Sequence, residues 1–387
     1  MTKTVVVLGS GYAGAGAIKR LESELGADVD LIWVSERPYH LVLHEVHRCI
    51  RDPGVQDDIT IPIEEIKSPT TTFREGLVET VDTDGRTVHL ADGASIDYDY
   101  LLVAVGSQTA FFGIDGLKEH ALTLKSLDDA LAIHDAIVTA AGEASDDEPA
   151  QILVGGAGQT GVQVAGEIAA YRDEHDAPIE IRLVEGMDSV VPGNDRAFQK
   201  AIRERLDERG VIVRTGQFIE GVDAETIHLE DGEEVSYDVL IWTGGITGQQ
   251  EMDDVSISKD RESNRLKATT TFQTDGERVF AIGDAALVEQ PGDEPAPATA
   301  QAAWQAADIA AENIARAIRG QPLKEWRFED KGTVVSVGDD AVATDVLYSP
   351  VKTFDGMAAE LLKKVIATRW IADVSSLSRA ISAWGRM

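Results

Sequence analysis

Two stretches of this chain, VVVLGSGYAG from residue 5 and ILVGGAGQTG from residue 152, share one pattern: an apolar run, three glycines within six residues, then a helical segment. An apolar run without polar alternation is what a parallel strand covered on both faces requires, and a glycine turn at its end lets the chain reverse into a packed helix. Each copy continues in the same way. The first has a helix to about Leu25 and a strand, DVDLIWVSE, ending at Glu36; the second has a helix through Tyr171 and a strand, IEIRLVE, ending at Glu185. The hairpins TVHLADGASIDYD and TIHLEDGEEVSYD then read as copies of each other. Each leads into a buried closing strand with small residues at its end, Ala104 and Gly106 in one and Gly244 and Gly245 in the other. A chain built twice on this plan is α/β, with two Rossmann-like units.

The chemistry of such a unit follows from its parts. Gly9, Gly11 and Gly14, and again Gly156, Gly158 and Gly161, let the backbone approach a pyrophosphate, while the helix N-terminus offers it unpaired N–H groups. A carboxylate about 20 residues on, Glu36 or Glu185, suits the hydroxyls of an adenosine ribose. Glu185 would repel a 2′-phosphate, so NADH is expected in preference to NADPH. The acidic segment GEASDDEPA, 142 to 150, reads as a surface connection into the second unit.

Composition removes whole classes of function. The net charge of −33 repels nucleic acid and suits a protein kept soluble at high salt. The single cysteine, Cys49, leaves no internal disulfide, thiolate cluster or redox pair. His40, His44 and His47 lack further ligands, and no metal is expected. No apolar run reaches the length of a membrane span, so the expected location is the cytoplasm or the cytoplasmic face of the cell membrane.

VFAIGDAA, 279 to 286, completes the picture. The layout resembles the two-dinucleotide-binding-domain flavoprotein superfamily. That resemblance implies an FAD domain with an inserted NAD domain: FAD on the first turn, NADH on the second, and Gly283 and Asp284 returning the chain to the flavin. Its boundaries would be residues 1–110 and 270–330 for the FAD domain, 111–269 for the NAD domain and 331–387 for a C-terminal region. Members that use a cysteine pair, and the sulfide:quinone oxidoreductases, are excluded by the lone thiol. What remains is a resemblance to the type II NADH dehydrogenases, which pass electrons from NADH to a membrane quinone without pumping protons.

Three local matches carry that narrower resemblance. Ala165-Gly166-Glu167 looks like the family's Ala-Gly-Glu element and implies a proton- or quinone-handling role for Glu167. Ala300-Gln301-x-x-x-Gln305 looks like its quinone-site motif, with both amides on one helix face. FEDKGTVVSVG looks like its Lys-Gly strand, which implies Lys331 near the flavin. Arg37 is expected at the adenosine or pyrophosphate. The alternatives are an NADH-dependent reductase of a ferredoxin-like protein, a soluble diaphorase, and, from another class, a flavin-binding redox sensor.

From Gly356 the charge reverses, with five basic and two acidic residues among the last 32. Ala358, Leu361, Leu362, Val365 and Ile366 make one apolar stripe, and Val374, Leu377, Ile381 and Trp384 a second. Trp370 and Trp384 with Lys363, Lys364, Arg369 and Arg379 are expected at a membrane interface. Homodimerisation through the same region is the competing expectation.

Overall fold

The computed structural model describes residues 2–292 and 294–386. Strands Lys3–Leu8, Val29–Ser35, Thr72–Glu75, Tyr100–Val103 and Val279–Ala281 form one parallel sheet, with Tyr100–Val103 and Val29–Ser35 on either side of Lys3–Leu8. Val5 to Leu8 are fully buried, which is why the strand reads as an unbroken apolar run. The second unit repeats the arrangement. Ala150–Gly155 lies between Ile179–Glu185 and Val239–Trp242, with Ile212–Thr215 at the edge, all parallel.

The duplication extends to detail. The hairpin strands Val78–Asp82 and Thr87–Leu90 carry a register shift between Val78 and Thr80, and their counterparts Ile219–Asp223 and Thr226–Leu229 carry one between Ile219 and Gly221. Two antiparallel crossovers, Gln108–Thr109 and Ile246–Thr247, join the units. Beyond the second crossover, Leu266–Ala268 pairs with Ala286–Val288 beside the first unit.

Helix Tyr12–Glu24 packs along helix Ala300–Ile318, whose N-terminus is capped by Thr299, its hydroxyl accepting from the Ala302 N–H at 3.2 Å. The two helices approach closely because small residues face each other: a Cβ on Gly16 would lie 2.9 Å from that of Ala307.

The C-terminal unit is an antiparallel sheet, Thr333–Val337, Asp340–Thr344 and Thr353–Asp355, followed by helices Met357–Val374 and Leu377–Ala383. The first of these helices corrects the sequence reading. Leu361, Val365 and Ile366 are exposed, whereas Lys363 and Trp370, expected at an interface, are 4% and 1% exposed. Arg379 is drawn to Glu65 at 3.0 Å rather than outward. Leu377, Ile381 and Trp384 extend the exposed apolar face, while Val374 is buried.

Candidate functional site: two glycine cradles and a buried ionic seam

Each glycine turn sits at the carboxyl end of its central strand, where the neighbours diverge and a crevice opens. Gly9 has φ +100°, and a Cβ there would fall 2.2 Å from the Ala104 carbonyl oxygen; one on Gly14 would fall 2.0 Å from the Gly9 oxygen. Gly11 and Gly106 face open space, so the cradle has room for a pyrophosphate. Gly283, at φ +66°, lies against Ala13, a Cβ there standing 2.9 Å from its methyl, and this docks Asp284 beside the start of the first helix. Three residues missed by sequence reasoning hold Asp284. The Ser107 hydroxyl points at its carboxylate at 3.4 Å and accepts from the Lys125 ammonium at 3.2 Å, and Arg265 donates to the Asp284 carbonyl at 2.9 Å. Glu36 is exposed on the rim, and Arg37 lies between Glu36 and Asp128, at 3.8 and 3.6 Å.

The second cradle has the same shape. Gly156 has φ +90° and presses on Gly244, and a Cβ on Gly161 would lie 1.8 Å from the Gly156 oxygen, while Gly158 faces open space. Glu185 is buried and accepts from the Ala157 N–H at 2.6 Å and the Met187 N–H at 2.9 Å. A carboxylate oxygen holds two lone pairs, so each keeps one for a ribose hydroxyl. Arg182 is engaged by Glu180 on its own strand and offers nothing to a 2′-phosphate.

Between the cradles and the C-terminal unit lies a cluster of buried ionisable groups. Glu167, on the Gln159–His175 helix, is fully buried, with Arg51 Nε at 3.2 Å and His47 Nε2 at 3.8 Å, yet neither carboxylate oxygen accepts a hydrogen bond. Burial pushes its carboxyl up to about 7, against the pull of Arg51, Arg48 and Lys363. Lys363 Nζ reaches Ser336 Oγ at 2.6 Å, His47 Nε2 at 3.0 Å and Glu45 Oε1 at 3.8 Å, and burial pushes it down to about 8. At Glu45 burial acts upward but is overcome by Lys363, Arg48 and His44, which hold the carboxyl below its ordinary value. Of this group the sequence pointed only to Glu167 by role. The histidines read only as candidate metal ligands, and Lys363 only as a charge at a membrane interface. Among the described residues no group of side chains is arranged to hold a metal ion.

Gln301 and Gln305 are committed elsewhere. Gln301 accepts from the Lys331 N–H at 2.7 Å and donates to the Gly332 carbonyl at 3.1 Å, and Gln305 accepts from and donates to Glu329 at 3.1 and 2.8 Å. Both amides clamp the 329–332 main chain, and the Lys331 side chain is exposed.

This paired-cradle frame defines a class: residues 3–307 match the pyridine nucleotide-disulphide oxidoreductase family. The disulphide of that name has no counterpart here, since Cys49 is the only cysteine. The chain is 30% identical to a type II NADH:quinone oxidoreductase of Staphylococcus epidermidis and 28% identical to one of Staphylococcus aureus, in both cases over 98% of this chain and 97% of the relative. It belongs to the type II NADH:quinone oxidoreductase family. In fold it is similar to Plasmodium falciparum NDH2 in complex with NADH, with TM-score 0.83, 18% identity and 100% and 98% of the two chains covered. The Aquifex aeolicus sulfide:quinone oxidoreductase has TM-score 0.81 at 19% identity, covering 97% of this chain and 92% of its own.

Proposed function

We propose that this chain oxidises NADH through FAD and delivers the electrons to a quinone. The observation that carries the reading is the pair of complete cradles in one frame, backed by a buried carboxyl poised near neutrality. FAD fits the first cradle, where Gly9, Gly11, Gly14, Ala104, Gly106, Gly283 and Asp284 converge and a Cβ at Gly9 would strike main chain. Bound there, it supplies two-electron chemistry that no side chain of this protein offers.

The residues position and screen. Gly156, Gly158, Gly161 and Gly244 leave room for the NADH pyrophosphate, and Glu185 takes the ribose hydroxyls and disfavours NADPH. Oxidation of NADH releases two electrons and one proton, and reduction of a quinone takes up two electrons and two protons. Glu167 is the buried group able to hold and release a proton near pH 7, and His47 and Lys363 connect it to Ser336 and the C-terminal unit. Gln301 and Gln305, by clamping the 329–332 main chain, shape the wall of the quinone side.

Among the described residues no helix is long and apolar enough to cross a membrane. The exposed face of Leu361, Val365, Ile366, Leu377, Ile381 and Trp384 supports peripheral attachment to a membrane surface, where quinone resides. The charge of −33 supports work in a high-salt cytoplasm.

Anaerobic stopped-flow at high salt tests the reading. Flavin absorbance is expected to bleach on adding NADH and recover on adding a water-soluble quinone. Recovery only with a ferredoxin-like protein would make the chain a reductase of that carrier, and absence of bleaching would leave a sensor. Flotation with anionic vesicles tests the attachment, and its loss in favour of a stable dimer would assign the apolar face to a second copy.

A further inference from the structure

The first glycine turn is held from behind by two buried aromatic rings. Trp33 Nε1 donates to the Gly9 carbonyl at 2.8 Å, and His40 Nδ1 lies 2.7 Å from the Ser10 carbonyl. His40 Nε2 in turn receives the indole N–H of Trp370 at 2.8 Å. An indole nitrogen only donates and a carbonyl only accepts, so His40 must be neutral and carry its proton on Nδ1. The relay thus runs in one direction, from Trp370 to His40 to Ser10.

Its consequence follows from peptide geometry. In a trans peptide the C=O and the next N–H point in opposite directions, and the chain has no cis bonds among the described residues. Drawing back the carbonyls of Gly9 and Ser10 turns the N–H groups of Ser10 and Gly11 the other way, out of the turn. Among the described residues neither amide donates to a protein group. Two adjacent outward N–H groups at a helix N-terminus form an anion nest.

Trp370 belongs to the C-terminal helix, 330 residues beyond His40 in the chain. Its ring is wedged between Tyr12, His40 and Trp304, with centroids at 4.6, 5.6 and 4.7 Å. The same helix turns Leu361, Val365 and Ile366 outward.

We propose that Trp370 and His40 are positioning residues for the flavin pyrophosphate, so that FAD retention depends on the C-terminal helix being docked. This rests on the reading of the first turn as the FAD site. Covering the outer face of the helix and holding the cofactor are then linked, because one rigid element does both.

The test is FAD dissociation from the full chain at high salt, followed by the return of free-flavin fluorescence, with NADH affinity and the melting temperature of the apoprotein measured alongside. Trp370→Phe keeps an aromatic ring and removes the donor, and His40→Leu breaks both links. Trp370→Phe is expected to raise the FAD dissociation constant about tenfold, the size of one lost hydrogen bond, and His40→Leu about 100-fold, the size of two. His40→Asn, whose amide can still donate to Ser10 but no longer reaches Trp370, is expected to match Trp370→Phe at about tenfold. NADH affinity should be unchanged in His40→Asn and Trp370→Phe, while the apoprotein melting temperature falls with the packing lost at these buried sites. Equal FAD loss in His40→Asn and His40→Leu, or a parallel fall in NADH affinity, would overturn the relay as mere packing. A parent protein that binds no FAD would instead remove the reading of the first turn, before any variant is compared.

Discussion

The two glycine turns have the same shape and different wiring. In the first, the carbonyls of Gly9 and Ser10 are tied to the rings of Trp33 and His40, both buried, and through His40 to the C-terminal helix. In the second, Thr243 Oγ1 holds the Gly156 carbonyl at 2.9 Å, the Val191 N–H holds that of Ala157 at 2.7 Å, and the Ala157 N–H is taken by Glu185. The first turn is tied, through His40, to a helix outside its own unit, as suits a cofactor that stays. The second is held by its own unit, as suits a substrate that exchanges. Duplication supplied the shape, and divergence of the neighbours supplied the wiring.

The most severe way to break this contrast is steric. A Cβ at position 161 would meet the main-chain oxygen of Gly156 at 1.8 Å, and one at position 9 that of Ala104 at 2.2 Å. Gly161→Ala is expected to slow flavin reduction by NADH at least about 100-fold while leaving FAD in place, and Gly9→Ala to yield apoprotein. Stopped-flow reduction and flavin content of the purified variants would show it. Loss of flavin from Gly161→Ala would mean that the turns are not independent.

The helices that follow the turns differ next. Six residues past the last glycine stands Arg20 in the first, partly exposed and paired with Glu24 at 2.6 Å, but in the second the buried Glu167. The folded chain holds the Glu167 proton up to about pH 7, whereas the unfolded chain releases it near its ordinary 4.5. Its stabilising contribution is therefore complete below pH 4.5 and is lost as pH rises toward 7, on the order of 3 kcal/mol in all. Lys363 acts in the opposite sense: its contribution is complete above 10.5 and is lost as pH falls toward 8. Denaturant midpoints between pH 5 and 7 should fall in the parent and stay flat in Glu167→Gln. An identical slope in both would place the titration elsewhere.

A smaller effect sharpens the contrast between the acids. Glu185 is 8% exposed and braces the second turn, whereas Glu36 stands in solvent. Glu185→Ala is expected to raise the KM for NADH about tenfold, because two turn amides lose an acceptor along with the ribose. Glu36→Ala should shift FAD affinity less than this, and steady-state kinetics with a flavin titration would rank them.

What the sequence made legible was local. Strand, turn and acid follow one another within about 30 residues in each unit, and the spacing alone carries the geometry. The relay and the ionic seam were illegible because their members meet only in the fold: Ser10 with His40 and Trp370, or Glu45 and His47 with Glu167, Ser336 and Lys363. Helix phase misled as well. The stripe through Leu361 and Val365 obeys the rule for a buried face, yet this helix buries the face that carries Lys363 and Trp370. A lysine inside an apolar stripe was the one available sign, and without partners it reads as an edge charge.

The least effect is expected at Gln301, and it separates a clamp from a direct quinone contact. Its amide holds the main chain at Lys331 and Gly332, and Gly332, at φ +98°, is packed so closely on Asp345 that a Cβ would lie 2.7 Å from its carbonyl carbon. The next residues form strand Thr333–Val337, which carries Ser336 to Lys363 and His47. Gln301→Ala therefore loosens the strand that bounds the Glu167 cluster without touching either glycine turn. Flavin reoxidation by a soluble quinone should slow about threefold, the low end of one lost hydrogen bond, with reduction by NADH unchanged. A loss of 100-fold or more would mean that the amide meets the quinone itself when the 329–332 segment moves, and a slower NADH half-reaction would tie this helix to the second turn instead.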